Sequence, residues 1–245
     1  MKNYKITVCY DGTKYSGWQK QGNTQNTIQS KIENILTKMT GQQVEIFGSG
    51  RTDAGAHSKA QVANFKIKTD KTDEQILQYL NEYLPKDIAI TSIQQVDMRF
   101  HSRLNAKQKT YVYRINTSGI TNVFERNFVF HTKEKLNVEK MKKASTMFLG
   151  THDFLPFCSN KKSKKSTVRT IYNIDIIEEN GEIKIYVTGN GFLYNMVRIM
   201  VGTLFEIGQD KRNENDIKQI FDLKDRTKAG QTMPSCGLCL IDVQY

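Results

Sequence analysis

Apolar and polar residues alternate in short runs through the first part of the chain. Four runs with period two predict half-buried strands, at residues 4–10, 44–47, 61–67 and 88–96. Two stretches with apolar residues three or four apart predict helices, which begin near Thr27 and Thr72. The resulting order, β-α-β-β-α-β, is that of a ferredoxin-like unit with a four-stranded antiparallel sheet and two helices on one face.

The second part of the chain repeats this order with insertions. Its predicted strands are residues 109–115, 172–176, 183–187 and 237–243, and its predicted helices are 138–148, 192–207 and 214–223. The pair Asn180-Gly181 between two alternating runs is typical of a β-hairpin turn. We therefore expect an α+β protein of two ferredoxin-like halves, residues 1–104 and 105–245. The antiparallel sheets of these halves are expected to meet, with a cleft between them.

Composition and charge narrow the class of protein. The chain has 245 residues, of which 38% are hydrophobic and 3 are proline, so a folded protein is expected rather than a disordered one. Lys and Arg number 36 against 25 Asp and Glu, and the net charge of +11 favours a polyanionic partner. No apolar run approaches the ~20 residues that span a bilayer, and Met1–Lys5 does not begin a signal peptide. The sequence therefore predicts a soluble, cytoplasmic protein.

The cysteines do not form a metal-binding pattern. Cys236 and Cys239 are three residues apart, but no second pair completes a zinc site. In a strand, residues at this spacing point to opposite faces. The histidines also lack the spacing of metal ligands. We therefore expect reduced thiols in or near the core.

Residues 48–57 form a loop of small residues that contains one carboxylate, Asp53, two residues after one guanidinium, Arg51. Its glycines allow left-handed turns and a close approach of a ligand to the main chain. A carboxylate beside an arginine is favoured in its ionised form, which suits a nucleophile or a base. The same pattern also fits a polar turn in which Asp53 bonds its own backbone. Spacing alone leaves both interpretations open.

Three other features could carry chemistry. Arg198 lies in the predicted helix 192–207, which is apolar almost all round, and a buried guanidinium needs an anion. Asp53 is the expected partner, although a structural ion pair or a snorkelling side chain also fits. Tyr111 could stack on a base or fill the core. The run Lys161–Lys165 could follow phosphates or form a solvated loop.

Residues Gly50–His57, with the sequence GRTDAGAH, resemble the central motif of the bacterial tRNA pseudouridine synthase A family. Further blocks resemble other motifs of the family and run in family order: Tyr10–Gln19, Tyr111–Arg114, Gly150–Phe154, Gly191–Arg198 and Gly237–Tyr245. The resemblance covers essentially the whole chain, and several motifs in order are far more specific than one. Departures from the family pattern fall at Ala56, Ser58 and Asn195, none of which is a candidate site residue.

The resemblance implies a reaction, a substrate and roles for the candidate residues. It implies isomerisation of uridine to pseudouridine in the anticodon stem-loop of tRNA, at positions 38, 39 and 40. Asp53 would be the nucleophile, with attack on C1′ of the ribose and on C6 of the base both open, and Arg198 would orient its carboxylate. Arg51 would help to hold the flipped-out state, and Tyr111 would stack on the uracil.

The resemblance also implies partners. It implies a homodimer that binds tRNA across both subunits, and it implies no metal and no organic cofactor. Two alternatives remain at this point. One is an RNA-binding module without catalysis, and the other is a synthase that acts at a different tRNA position.

Overall fold

A computed structural model describes residues 1–159 and 166–245, so the basic run 161–165 lies outside the described residues. The chain divides into two units. The first contains Met1–Lys107 together with Leu240–Tyr245, and the second contains Gln108–Cys239. The division falls three residues after Leu104, and the end of the chain joins the first unit.

The first unit contains the predicted elements in the predicted order. They are β1 (Lys2–Tyr10), α1 (Ile28–Thr40), β2 (Ile46–Gly48), β3 (His57–Ile67), α2 (Asp73–Tyr83) and β4 (Ile88–Val96). The strands pair in the order β4-β1-β3-β2, and each of these pairings is antiparallel. The predicted β-α-β-β-α-β unit is therefore confirmed for this half.

Short polar signals set the helix ends of the first unit. Thr27 accepts a hydrogen bond from the Ser30 backbone N–H at the start of α1, and Gly41 ends that helix with φ 69°. Thr72 and Gln75 form a capping box at the start of α2. Between the sheet and the helices lies a core of fully buried side chains, among them Tyr4, Ile6, Val8, Trp18, Ile28, Ile32, Leu36 and Phe65.

The second unit contains β5 (Gln108–Asn116), β6 (Phe130–His131), α3 (Val138–Ser145), β7 (Gly150–Asp153), β8 (Val168–Glu179), β9 (Glu182–Gly189), α4 (Met196–Gly208) and α5 (Asp216–Leu223). Four strands lie in the order β5-β9-β8-β7 with antiparallel pairing, and β6 runs parallel to β5. The predicted hairpin joins β8 to β9, where Asn180 and Gly181 have φ 51° and 72°. A last strand, β10 (Leu238–Gln244), begins in this unit and ends in the first. The α+β class with two halves is confirmed.

Several local predictions for the second unit differ from the structure. β6 and β7 are not predicted, because strands of two and four residues are too short to show alternation. Helix α4 begins at Met196 rather than Phe192, because Asn195 takes a left-handed conformation with φ 62°. Cys236 lies in a 3-10 turn before β10 rather than in the strand, and none of the four cysteines, all of them described residues, forms a disulfide. In the two described ranges no helix is long and apolar enough to cross a membrane.

Candidate active site

The loop that carries Asp53 connects β2 to β3, and its first residues are fixed to β3. The Ser49 backbone N–H donates to the Val62 carbonyl at 2.7 Å, and the Ser49 hydroxyl donates to Gln61 Oε1 at 2.6 Å. Gln61 Nε2 in turn donates to the Gly50 carbonyl at 3.0 Å. Ser49 and Gln61 are fully buried, so these polar groups satisfy each other away from water. The start of the loop is therefore held by three hydrogen bonds to one strand.

The backbone on both sides of Asp53 is held by residues of the segment 10–19. The Tyr10 hydroxyl and Thr52 Oγ1 share a hydrogen bond of 2.8 Å, and the Trp18 backbone N–H donates to the Thr52 carbonyl at 3.2 Å. After Asp53, the Gly55 N–H donates to the Tyr15 carbonyl at 3.2 Å. Asp53 itself is half-buried. The main chain at the carboxylate is thus held from both sides, which restricts the positions that the Asp53 side chain can take.

Two glycines allow this close contact between the loop and the segment 10–19. A Cβ at Gly12 would lie 1.9 Å from the Ala56 carbonyl oxygen. A Cβ at Gly17, which has φ +93°, would lie 2.7 Å from the Thr52 carbonyl oxygen. Only a residue without a side chain fits such a gap between two backbones. The two motifs that resemble the family opening and its central loop are therefore packed against each other.

His57 closes the loop at the start of β3. It is 3% exposed, and its Nδ1 accepts a hydrogen bond from the Gly12 backbone N–H at 3.0 Å. Asp11 Oδ1 lies 3.2 Å from the same nitrogen. His57 is therefore a buried residue that ties the end of the loop to the segment 10–19.

Arg51 is exposed and lies two residues before Asp53 on the same loop. Its Nε donates a hydrogen bond to Gln19 Oε1 at 3.0 Å. Gln19 belongs to the segment 10–19, so this side chain is tied to the same part of the chain as the loop backbone. Gln19 is not among the functional residues predicted from the sequence, and its place at the end of the block Tyr10–Gln19, which resembles a family motif, is the signal that could have found it.

Tyr111 lies on β5 opposite Val187 of β9 and is 7% exposed. Its ring makes an edge-on contact with Phe192, with the ring centroids 5.1 Å apart. Tyr113 is fully buried, and its hydroxyl donates to the Pro234 carbonyl at 2.7 Å. Burial raises the pKa of Tyr113 well above its usual range. Both tyrosines are packed, as alternation along one strand predicts, and stacking of Tyr111 on a base stays a prediction.

Arg198 projects from α4, whose other positions are almost all buried, as the apolar pattern predicts, but Arg198 itself is half-buried rather than buried. Its Nε donates to the Met233 carbonyl at 2.6 Å, and its Nη1 donates to Asn195 Oδ1 at 2.8 Å. Asn195 also donates from Nδ2 to Ser159 Oγ at 3.0 Å. These contacts fix the plane of the guanidinium. The pairing of Arg198 with Asp53 stays a prediction.

Metal ligands do not come together in the part of the chain that the structure describes. Among residues 1–159 and 166–245, no group of three or more His, Cys, Asp or Glu side chains could hold a metal ion. The hydrogen bonds to residues 49, 50, 52 and 55 of the Asp53 loop come from amide, hydroxyl and backbone groups.

The chain matches a family model described as tRNA pseudouridine synthase over residues 6–105 and 144–245. A tRNA pseudouridine synthase A from a Bacillus species (strain KSM-64) is 49% identical over 230 residues, which cover 94% of each chain. Relatives from Bacillus anthracis (tRNA pseudouridine synthase A 2) and Clostridium acetobutylicum (tRNA pseudouridine synthase A) are 45% and 46% identical over 245 residues, the full length of both chains in each pair. Among solved structures, "Crystal Structure of a Cbf5-Nop10-Gar1 Complex" holds a chain with a TM-score of 0.40 and 12% identity, and the match covers 97% of this chain and 48% of that one. Because the family model matches both halves and the relatives match along their whole length, the chain belongs to the tRNA pseudouridine synthase family.

Proposed function

We propose that this protein converts uridine to pseudouridine in the anticodon stem-loop of tRNA, with Asp53 as the nucleophile. The observation that carries the proposal is the fixed backbone around Asp53, within the loop whose sequence resembles the central family motif. A carboxylate on a rigid loop can be held at a reacting carbon in one orientation, whereas a carboxylate in an ordinary polar turn needs no such support. Membership of the family supports the same reaction.

The reaction is an isomerisation, so atoms and electrons balance without a co-reactant. The N1–C1′ bond of uridine breaks, the uracil turns while it stays in the site, and a C5–C1′ bond forms. The proton on C5 leaves for solvent and N1 gains one. A carboxylate that adds to C1′ or to C6 and later departs provides the covalent route. Both points of attack are compatible with the role proposed for Asp53.

Three further residues are proposed to support this step. A uridine in a stem must leave the base stack, at a cost of a few kcal/mol. We propose that Arg51 helps to hold this flipped-out state and that Tyr111 stacks on the uracil, which contributes about 1–3 kcal/mol. Arg198 is proposed to orient the Asp53 carboxylate and to favour its ionised form.

The proposed partners follow from charge and from family membership. The net charge of +11 supports binding to the phosphates of tRNA, which gives affinity that falls with salt concentration. Recognition would rest on the shape of the RNA, because side chains reach few base edges in an A-form helix. We also propose a cytoplasmic homodimer whose two subunits share one tRNA, and positions 38, 39 and 40 as the modified uridines. The run 161–165 is a candidate for phosphate contacts.

The test is tritium release from an unmodified tRNA transcript that carries tritium at C5 of its uridines. Wild-type protein should release tritium, and Asp53→Asn should release none while it binds the same tRNA with unchanged affinity. Asp70→Asn, at an exposed position after β3, makes the same change of charge away from the loop and should behave as wild type. Binding without release by the wild type would support the RNA-binding alternative. Full activity of Asp53→Asn would remove Asp53 from the role of nucleophile.

A further inference from the structure

A chain of side-chain hydrogen bonds leads from the interior of the first unit to Arg51. Gln29 Nε2 donates to Glu33 Oε1 at 2.8 Å, both on helix α1. Gln19 Nε2 donates to Gln29 Oε1 at 2.9 Å. Arg51 Nε donates to Gln19 Oε1 at 3.0 Å. Three consecutive hydrogen bonds therefore connect a carboxylate on α1 with the guanidinium of the Asp53 loop.

The Glu33 end of this series of hydrogen bonds is buried, and the direction of donation there is fixed. Glu33 is 4% exposed and Gln29 is 5% exposed. The Ile46 backbone N–H donates to Glu33 Oε1 at 3.0 Å, and Lys20 Nζ lies 3.3 Å from Glu33 Oε2. A carboxylate with these partners only accepts hydrogen bonds. Any amide that faces Glu33 must therefore present its NH2 group.

The orientation of Gln29 determines the orientation of the next glutamine, because each glutamine amide has one donor end and one acceptor end. With its NH2 group on Glu33, Gln29 presents Oε1 outward, where it accepts from Gln19 Nε2 and from the Lys20 backbone N–H at 2.9 Å. Gln19 is thereby oriented with its own Oε1 outward. Arg51 has donors and no acceptor, so this is the one orientation of Gln19 that it can bind.

We propose that Gln19 is a positioning residue for Arg51 and that Gln29 and Glu33 set the orientation of its amide. This inference rests on the proposed function, in which Arg51 stabilises the flipped-out nucleotide. Because Gln19 occupies Nε, a phosphate or base edge held by Arg51 would be bound by the two Nη groups. The guanidinium plane is fixed before RNA arrives, so less side-chain freedom is lost when the RNA is bound.

The first measurement needs no RNA. In protein labelled with ¹⁵N-arginine, the Nε–H signal of Arg51 is assigned from its absence in Arg51→Met. Its exchange with water should be slow in the wild type and faster by about tenfold or more in Gln19→Met, which has a similar shape without hydrogen bonds. Gln29→Met should give an intermediate acceleration. Gln25→Met, at an exposed position in the loop before α1, is the matched control and should leave the signal unchanged.

The second measurement is the single-turnover rate of tritium release together with the affinity for tRNA. Gln19→Met should lower the rate by about tenfold and change the dissociation constant by less than about threefold, because the orientation of Arg51 matters in the flipped state. In the Arg51→Met background, Gln19→Met should have no further effect. A general loss of structure would instead lower the melting temperature and add to the effect of Arg51→Met.

Either measurement can overturn the inference. Unchanged exchange of the Arg51 Nε–H in Gln19→Met would show that the hydrogen bond does not hold the guanidinium in solution. Additive rate losses in the double variant would show that Gln19 acts independently of Arg51. If the wild type bound tRNA and released no tritium, the proposed function would fail, while the exchange measurement would still decide whether Gln19 positions Arg51.

Discussion

Replacing Gly17 by alanine tests whether the segment 10–19 holds the Asp53 loop in its working geometry. Gly17 has φ +93°, and an added Cβ would lie 2.7 Å from the Thr52 carbonyl oxygen and 3.2 Å from the Ala54 nitrogen. Thr52 comes directly before Asp53 and accepts the Trp18 N–H. The new methyl group therefore pushes against the backbone that carries the proposed nucleophile.

The size of the effect follows from these distances. The Thr52 oxygen must move by about 0.7 Å to reach an ordinary contact with the methyl group. A misplacement of 1 Å at a reacting group can cost about 100-fold in rate, so a shift of this size should cost at least about tenfold. The left-handed backbone adds a loss of stability of about 1–2 kcal/mol for any residue with a side chain.

Gly41→Ala separates these two effects. Gly41 has φ +69° at the end of α1, and an added Cβ would meet nothing within 4 Å. It should lose a similar stability in a urea titration and keep wild-type tritium release per folded molecule. Gly17→Ala should lose about tenfold in the same assay, with tRNA affinity retained. Wild-type turnover by folded Gly17→Ala, or an equal loss in Gly41→Ala, would refute the reasoning.

Three other substitutions address the second unit. Tyr111→Phe keeps the ring, so turnover within about threefold of the wild type is expected if stacking is its contribution, and a complete loss would assign a role to the hydroxyl. Tyr113→Phe leaves the Pro234 carbonyl without its hydrogen bond and should cost about 1 kcal/mol in urea unfolding, whereas an unchanged midpoint would contradict this estimate. Glu182 makes a bidentate contact with Arg114, which holds the pKa of this carboxyl below its usual range. The pKa of Glu182 is lower in the folded protein than in the unfolded chain. The stabilisation that this ion pair contributes is therefore complete above about pH 5 and is lost as the pH falls through the folded-state pKa. Glu182→Gln should therefore cost about 1 kcal/mol at ~pH 6 and progressively less as the pH falls below ~4, and a loss that does not change with pH would argue against it.

Long regular patterns predict most of the fold. The alternation in β1 and the apolar stripe of α1 hold over nine and thirteen residues, and both elements lie where the sequence places them. β7 has four residues and exists through its pairing with β8, which no local pattern reports. Asn195 shortens α4 because a single left-handed residue stops the helix without changing the apolar stripe. Length and tertiary pairing thus separate the elements that sequence predicts from those it misses.

The sequence predicts only part of the candidate site, because some of its residues matter through contacts between distant segments. Asp53 and Arg51 are conspicuous because they stand in a short loop of small residues. Gly12 and Gly17 matter because they approach that loop from a distant segment, and contacts of this kind leave no periodic signal. Gln19 is missed for the same reason, because its proposed role depends on the direction of hydrogen bonds that the buried Gln29 sets.

The assignment of Leu240–Tyr245 to the first unit affects the order in which the protein is completed on the ribosome. The Leu240 carbonyl accepts a hydrogen bond from Ser58, next to the start of β3, and the Tyr245 hydroxyl donates to the Ser102 carbonyl. These residues emerge after the whole second unit has been translated. The first unit, which carries Asp53, therefore begins to emerge from the ribosome before the second unit and is completed after it. A chain that stops before Leu240 would lack these two hydrogen bonds, one of which lies beside the Asp53 loop.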